Sequence, residues 1–304
     1  MTVAHELIQW TAGHSFRLLR WHNDLREMDL IIEPGRTRRI HGSGEQWHYH
    51  RAFELTWFRS GAGTRCIGDR MRSIRAGDLV LLGSNLPHYW HTHGKSAGWS
   101  VQWDWEPTHH VWAVPETQEL TSLFREAACG VEFSGRAADA MAARLPELAE
   151  TSGLDRLALL LRILAVAAAA PKQERAVISR NPKLMGIESR HQVAMQAAIR
   201  FLLEHFRRPI RLAELLTLTR MSRPTFSRQF KAHAGKSVGT FLHQIRIEAS
   251  SHELAETDRA VTDIAMENGL SVSFFNRLFR RVHGCSPLEY RRHQRRTLRS
   301  LRPR

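Results

Sequence analysis

The sequence predicts two domains: an all-β barrel or sandwich followed by helices, then an all-α domain built on an internal repeat. Three observations carry this expectation. All nine tryptophans fall between Trp10 and Trp112. Charge is segregated, with 21 Lys+Arg against 9 Asp+Glu in residues 191–304 but 23 against 21 in residues 1–190. The apolar period also shifts along the chain, from 2 near the front to 3.6 behind it. At 304 residues, two halves are each long enough to bury a core.

The β-rich part spans residues 1–112. Short alternating runs such as FELTWFR (Phe53–Arg59) and DLVLL (Asp78–Leu82) are bounded by Gly61-Ala62-Gly63 and Ala76-Gly77. Evenly spaced strands between glycine turns build barrels or sandwiches. Across 113–170 the pattern becomes helical. Leu154, Leu157, Ala158, Leu161, Leu164 and Ala165 share one face at 3/4 spacing, and that face needs a partner. The partner is either the barrel or the same helix of a second copy, so this segment is expected to pack or to make a homodimer. Residues 171–190 hold two prolines, mixed charge and no period, and read as a linker. Helices are then expected over Val193–Phe206 and Leu212–Leu216.

Other features narrow the function classes. Cys66, Cys129 and Cys285 lie far apart and form no CxxC pair, a pattern of reducing compartments. The start MTVAHELIQW lacks a basic-then-apolar leader. The most apolar run, Leu157–Ala170, is broken by Arg162 and too short to cross a bilayer. A cytoplasmic protein without a membrane partner is expected. The basic back half suggests a polyanion as partner.

The back half repeats itself at an offset of 49 residues. Met221-Ser222 aligns with Leu270-Ser271, Phe226 with Phe275, Arg228 with Arg277, Phe230-Lys231 with Phe279-Arg280, and Gly235 with Gly284. Upstream, Leu212, Leu215 and Leu216 align with Val261, Ile264 and Ala265. Each copy is a short helix, a tight turn, a Ser N-cap and a second helix ending in Gly, which is the helix-turn-helix plan. The units are expected over about 212–233 and 261–282. Phe226 and Phe230 stand i, i+4 and face a core, leaving Arg223, Ser227, Arg228 and Lys231 outward. In the second copy Phe275 and Phe279 face inward, leaving Ser273, Asn276, Arg277 and Arg280. Arg grips guanine and Asn grips adenine with paired hydrogen bonds, while Ser and Lys also anchor phosphates.

These residues carry a resemblance. The stretches MSRPTFSRQFKAHAGKS, IRIEASSHELAETDRAVTDIA and NRLFRRVHGCSPLEYRR resemble the DNA-binding domain of AraC/XylS-type transcription regulators over residues 191–304. The resemblance implies seven helices, two helix-turn-helix units joined by a long helix, promoter DNA as partner, and RNA polymerase as a second partner. It places base- or phosphate-facing positions at Arg223, Pro224, Ser227, Arg228, Val272, Ser273, Asn276 and Arg277. The second turn, GLSVSFFNR, is one residue shorter than the usual form, which leaves open whether Val272 or Ser273 reaches a base.

In the front half, HYHRAFELTWFRSG runs from His48 to Gly61. The pattern Gly42-x5-His48-x-His50-x3-Glu54-x6-Gly61 resembles the first cupin motif, and Gly77-Asp78 with Gly83–His88 resembles a degraded second one, its closing Asn replaced by Thr92. A cupin-type sensor barrel is implied, with His48, His50 and Glu54 at one strand parity and His88 joining them. Three imidazoles and a carboxylate suit Zn²⁺, Fe²⁺, Mn²⁺ or Ni²⁺. The same groups equally suit a metal-free polar ligand pocket, and ordinary structural histidines are the third reading. Trp47, Trp57, Trp90, Trp103 and Trp105 are candidate apolar walls, with Trp57 and Trp90 taken as ligand contacts and His91 and His93 as nearby polar groups. The leading expectation is a ligand-responsive transcription regulator without enzymatic activity, an activator of a catabolic operon with a sugar as effector. The alternatives are a metal-dependent cupin enzyme fused to a DNA-binding module and a ligand-independent architectural DNA binder.

Overall fold

The computed structural model describes residues 4–45, 47–92, 94–105, 109–180 and 191–300. They group into two compact units, which divide between Arg190 and His191 apart from the short stretch Met71–Ser73.

The front unit is mostly β. Its strands are β1 (Ala4–His5), β2 (Phe16–Trp21), β3 (Glu27–Glu33), β4 (Arg36–His41), β5 (His48–Tyr49) and β6 (Phe53–Ser60). Next come β7 (Gly63–Ile67), β8 (Arg70–Ile74), β9 (Leu79–Leu82), β10 (His88–Thr92) and β11 (Ala97–Trp103). Helix α1 (Leu120–Ala127), β12 (Val131–Phe133), α2 (Gly135–Arg144), α3 (Gly153–Ala169) and β13 (Arg175–Val177) complete the unit. The strands make a five-stranded sheet, β1-β5-β10-β7-β8, and an eight-stranded one, β13-β12-β9-β6-β11-β2-β3-β4.

The expected barrel is therefore two sheets that do not close on each other. One open edge is β4, whose Arg36, Arg38 and Arg39 are exposed. A guanidinium-rich edge discourages any further strand from pairing there.

Strand parity sets two cores. From β6, Phe58 enters a cluster between the sheets with Trp21, Val80, Leu82 and Trp90. Leu55, with Phe53 and Trp57 beside it, enters a second cluster on the opposite face, under α1, α2 and α3. The central strand β11 is buried along its whole length because both of its faces are covered.

Three expectations change here. The helical face drawn through Leu154, Leu157, Ala158, Leu161, Leu164 and Ala165 is not the buried one. Helix α3 buries Arg156, Leu160, Ile163, Leu164 and Ala167, while Leu154 is 79% exposed. A helix with apolar residues on nearly every side has no single periodic face, so period alone chose wrongly. Second, the β unit does not end at residue 112. Strand β12 pairs with β9, and β13 pairs with β12. Third, β13 lies inside the expected linker 171–190, so its first part belongs to the front sheet; residues 181–190 lie outside the described residues. Strands of three residues carry too few alternations to register as a pattern.

The back unit holds α4 (Gln192–His205), α5 (Leu212–Thr219), α6 (Arg223–Ala234), α7 (Val238–Glu256), α8 (Val261–Glu267), α9 (Val272–His283) and α10 (Pro287–Ser300). Helices α6 and α9 each have 12 residues and start at positions 49 apart. Phe226, Phe230, Phe275 and Phe279 are all 0% exposed. Gly235 and Gly284 end the two helices at φ 68° and 72°, the left-handed conformation that stops a helix most cheaply with glycine. Ser222 and Ser271 occupy the N-cap positions in extended conformation, but neither hydroxyl caps the backbone. The Ser222 hydroxyl instead donates to Thr225 Oγ1 at 3.0 Å.

Buried Arg246 of α7 ties the unit together. It donates through Nε to Phe206 O at 2.7 Å, through Nη1 to Gly269 O at 2.8 Å and through Nη2 to Arg208 O at 2.9 Å. One side chain thus holds the chain end after α4 and the turn between α8 and α9.

Candidate functional site

Two arrays carry chemistry, one in each unit. In the back unit the phenylalanine seam points α6 inward, so its opposite face presents exposed Arg223, Pro224, Ser227, Arg228 and Lys231. Helix α9 presents exposed Ser273, Arg277 and Arg280, with Asn276 half-buried. Arg277 sits over the Phe274 ring at 5.3 Å, which restrains its guanidinium. The Asn276 amide donates to Val272 O at 2.9 Å, so it folds back on its own helix in this conformation. Val272 is half-buried against the core around Phe275, whereas Ser273 is exposed; of the two, Ser273 is the one presented outward. The outward cations form two equivalent sets, because the repeat places Arg228 and Arg277, and Lys231 and Arg280, at matching helix positions.

In the front unit the structure gathers His48, His50 and His88, each with a ring nitrogen within 4.8 Å of the others. Strand pairing explains the meeting. His48 on β5 lies directly opposite His88 on β10, and His50 follows at the same parity. Gly42 lets the chain turn in: its Cβ position lies 2.0 Å from Leu25 O, so no larger residue fits. All three imidazoles are at most 2% exposed.

Glu54 stands beside this trio rather than within it. Its Oε2 is 3.0 Å from His50 Nε2 and 3.9 Å from His88 Nε2. It also accepts from Thr56 Oγ1 and Gln102 Nε2, each at 2.5 Å. Gln102 in turn accepts from Arg17 Nε, and Arg17 reaches Glu6 at 2.8 Å. Burial favours the neutral acid at Glu54, but the His50 hydrogen bond, the His88 and His50 charges and the Thr56 hydroxyl hold its carboxyl well below the usual range. Burial likewise opposes charge on His50, yet the Glu54 hydrogen bond and charge outweigh it and raise its pKa. Burial, followed by the charge of His48, keeps His88 well below an ordinary histidine.

These residues fit a transition metal. His50 Nδ1 donates to Ala52 O at 2.9 Å and His88 Nδ1 to Leu86 O at 2.8 Å. The Leu86 carbonyl thereby fixes the His88 tautomer with Nε2 aimed inward, as the outer shell of a metal site does, while His50 Nε2 is held by Glu54 and would exchange its proton for a metal. Buried His88 Nε2 has no hydrogen-bond partner among the described residues.

Sequence reasoning missed Arg17, Gln102 and Glu6. Gln102 was detectable as the one amide in an otherwise apolar strand, and it pairs in register with both Glu54 and Arg17. Trp90 does line the small cavity beside His48 and Glu54. Trp57 does not: its parity is opposite to Glu54, and it packs toward the helices, as do Trp103 and Trp105. Trp47 is buried and lies 6.3 Å from Tyr89, ring to ring. His91 is half-exposed beside Tyr89; His93 is outside the described residues. No helix among the described residues is long and apolar enough to cross a membrane.

Comparison with known proteins bears on the back unit. A helix-turn-helix domain model matches residues 215–293. The regulatory protein SoxS of Salmonella typhimurium is 30% identical over 102 residues, covering 33% of this chain and 95% of SoxS. The transcriptional activator RhaS of an Enterobacter species is 30% identical over 116 residues, or 38% of this chain and 41% of RhaS. The solved DNA-binding domain of AdpA in complex with a target DNA is 28% identical, covers 34% of this chain and 95% of that domain, and has a TM-score of 0.33. The helix pairs, the phenylalanine seams and the similarity to SoxS and RhaS agree on the assignment: the chain belongs to the AraC/XylS family of DNA-binding transcription regulators.

Proposed function

We propose that this regulator reads promoter DNA with two helix-turn-helix units, α5–α6 and α8–α9, and that a small molecule bound by the front unit governs the reading. The observation that carries the first half is the duplication of outward cations at Arg228 and Arg277. Arg228→Ala and Arg277→Ala are each expected to weaken specific promoter binding by ~1–3 kcal/mol. Lys231→Ala should weaken binding to all sequences and reduce the salt slope by about one unit. Gel shifts over a salt series measure both, and unchanged operator affinity in the two Arg variants would refute this docking face.

We read the front unit as a cupin-type sensor whose His48, His50 and His88 hold a divalent transition metal, with Glu54 adjoining. The orphaned His88 Nε2, with its tautomer fixed by the Leu86 carbonyl, supports this over a metal-free pocket. Such an ion would cross-link β5 and β10 beside β6. The proposed effector is a sugar and the regulated genes a carbohydrate catabolic operon, with RNA polymerase as the partner of an activator. An enzymatic role finds no support beyond the metal ligands themselves.

A homodimer through α3 completes the proposal. Leu154 and Ala158 stand on its exposed side, whereas Leu161 is half-buried against its own core. The double variant Leu154→Glu/Ala158→Glu should therefore convert the dimer to a monomer without unfolding it. Sedimentation at micromolar concentration checks this, and a monomeric unmodified chain would count against it.

A further inference from the structure

The histidine cluster has no room for an organic effector. The cavity beside it measures about 20 Å³, space for a single water or ion. The front unit holds another cavity, of about 600 Å³, a volume typical of small-molecule sites. It lies on the helix-covered side of the eight-stranded sheet. We propose that this second cavity is the effector seat, and that it takes a neutral hydroxylated ring the size of a mono- or disaccharide. The inference rests on the effector-responsive reading above and relocates its ligand.

The walls are aromatic. Phe124 is the centre, with Phe53 stacked on it at 4.3 Å, Trp112 at a right angle 5.5 Å away and Trp105 at 6.4 Å. Phe53 and Trp112 are the half-exposed rings of this wall, backed by buried Phe124 and Trp105, and suit the apolar C–H faces of a pyranose or furanose. The rim is polar. Asp104 and Gln118 offer planar groups whose oxygens accept from adjacent hydroxyls, the Gln118 amide being oriented by its own donation to Trp112 O at 3.0 Å. Arg51 also lines the rim, so its charge and that of Asp104 offset each other. A balanced rim over aromatic walls favours a neutral polar ring over an anion or a cation.

The same cavity is wired to the histidine cluster by strand alternation. Arg51 and Phe53 line the cavity, while His50 and Glu54 between and beside them point to the cluster. Asn85 lines it, while Leu86 O and His88 serve the cluster. Asp104 lines it two residues after Gln102. The Asn85 N–H also donates to His50 O at 2.8 Å, joining two of these stretches directly. A ligand in the cavity therefore contacts residues adjacent in sequence to His50 and Glu54, two from Gln102 and three from His88.

The test uses the full chain and a panel of D-glucose, D-xylose, L-arabinose, maltose and cellobiose. Binding is read by calorimetry and saturation-transfer NMR, and promoter affinity by gel shift with and without each sugar. The expected result is that at least one sugar binds, that Trp112→Ala and Asp104→Asn each weaken it at least tenfold, and that Gln118→Ala, at an exposed position, weakens it with an unchanged melting temperature. Binding that survives all three substitutions overturns the site. Failure of every sugar to bind overturns the ligand class. A sugar that binds through Trp112 and Asp104 but leaves promoter affinity unchanged upholds the cavity as a binding site and overturns the effector-responsive reading on which its role depends.

Discussion

Arg246→Met should destabilise the DNA-binding unit by ~3–5 kcal/mol and abolish operator binding at ordinary temperatures. Each of its three hydrogen bonds is charge-assisted, and such bonds contribute ~1.5–3 kcal/mol apiece before the relief of desolvating the guanidinium is subtracted. Methionine fills the same volume but donates nothing, leaving the carbonyls of Phe206, Arg208 and Gly269 without this partner. The turn before α9 then loses its tether to α7, so the spacing between the two reading helices loosens. Urea unfolding of the full chain measures the stability loss, and gel shifts measure the binding loss. A second variant separates the two effects. Gly269→Ala, at φ +71° with a Cβ position only 2.8 Å from Arg207 O and 2.9 Å from Arg246 Cζ, should disturb the same turn while keeping the arginine. If Arg246→Met unfolds at the same urea concentration as the unmodified protein, the tether has no energetic weight.

Stripping metal from the front unit is the second large effect. A metal present at a thousand times its dissociation constant stabilises the folded state by ~4 kcal/mol. For a unit of this size that corresponds to a fall of roughly 8–16 °C in melting temperature on chelation. His88→Ala should reproduce the fall and make the protein indifferent to chelator, whereas His91→Ala, outside the trio, should not. Elemental analysis of the purified chain should find one metal per front unit. The stripped protein should also show a pH signature. The Glu54 carboxyl is depressed, so its contribution is complete above its ordinary value of 4.5 and is lost as pH falls below it. His50 is raised, so its contribution is complete below its ordinary 6.5 and is lost as pH rises through the raised value. Buried His88 is depressed, so its contribution is complete above its ordinary 6.5 and is lost as pH falls below it. Stability of the stripped protein should thus peak just above 6.5, before His50 loses its proton, and loading with metal should remove the peak. Absence of metal together with a melting temperature unmoved by chelator would overturn the metal reading.

The sequence by itself determined the family and the inward seams of the reading helices. Two phenylalanines at i, i+4, repeated 49 residues later, have one way to be buried, and burying them turns Arg228 and Arg277 outward. Parity suggested that His48, His50 and Glu54 share a strand face, but β5 and β6 belong to different sheets, and Glu54 reaches the histidines only because the two sheets face each other. Parity cannot say which face meets which core. Trp57 was drawn to the ligand side, but Glu54 points between the sheets and the tryptophan must therefore point to the helices. Helix α3 shows the same limit: apolar nearly all round, it was oriented only when Leu160, Ile163 and Ala167 found the sheet. Gln102 stood out as the one amide of its strand, but its link to Arg17 came only through register, because the two lie 85 residues apart and meet only where β2 and β11 pair. The tertiary structure likewise decided that the histidine cavity is nearly full while the aromatic one under α1 stays open. Periodicity records which residues are neighbours on one element. Volume, register and the choice of buried face depend on elements distant in the chain, whose approach no local pattern encodes.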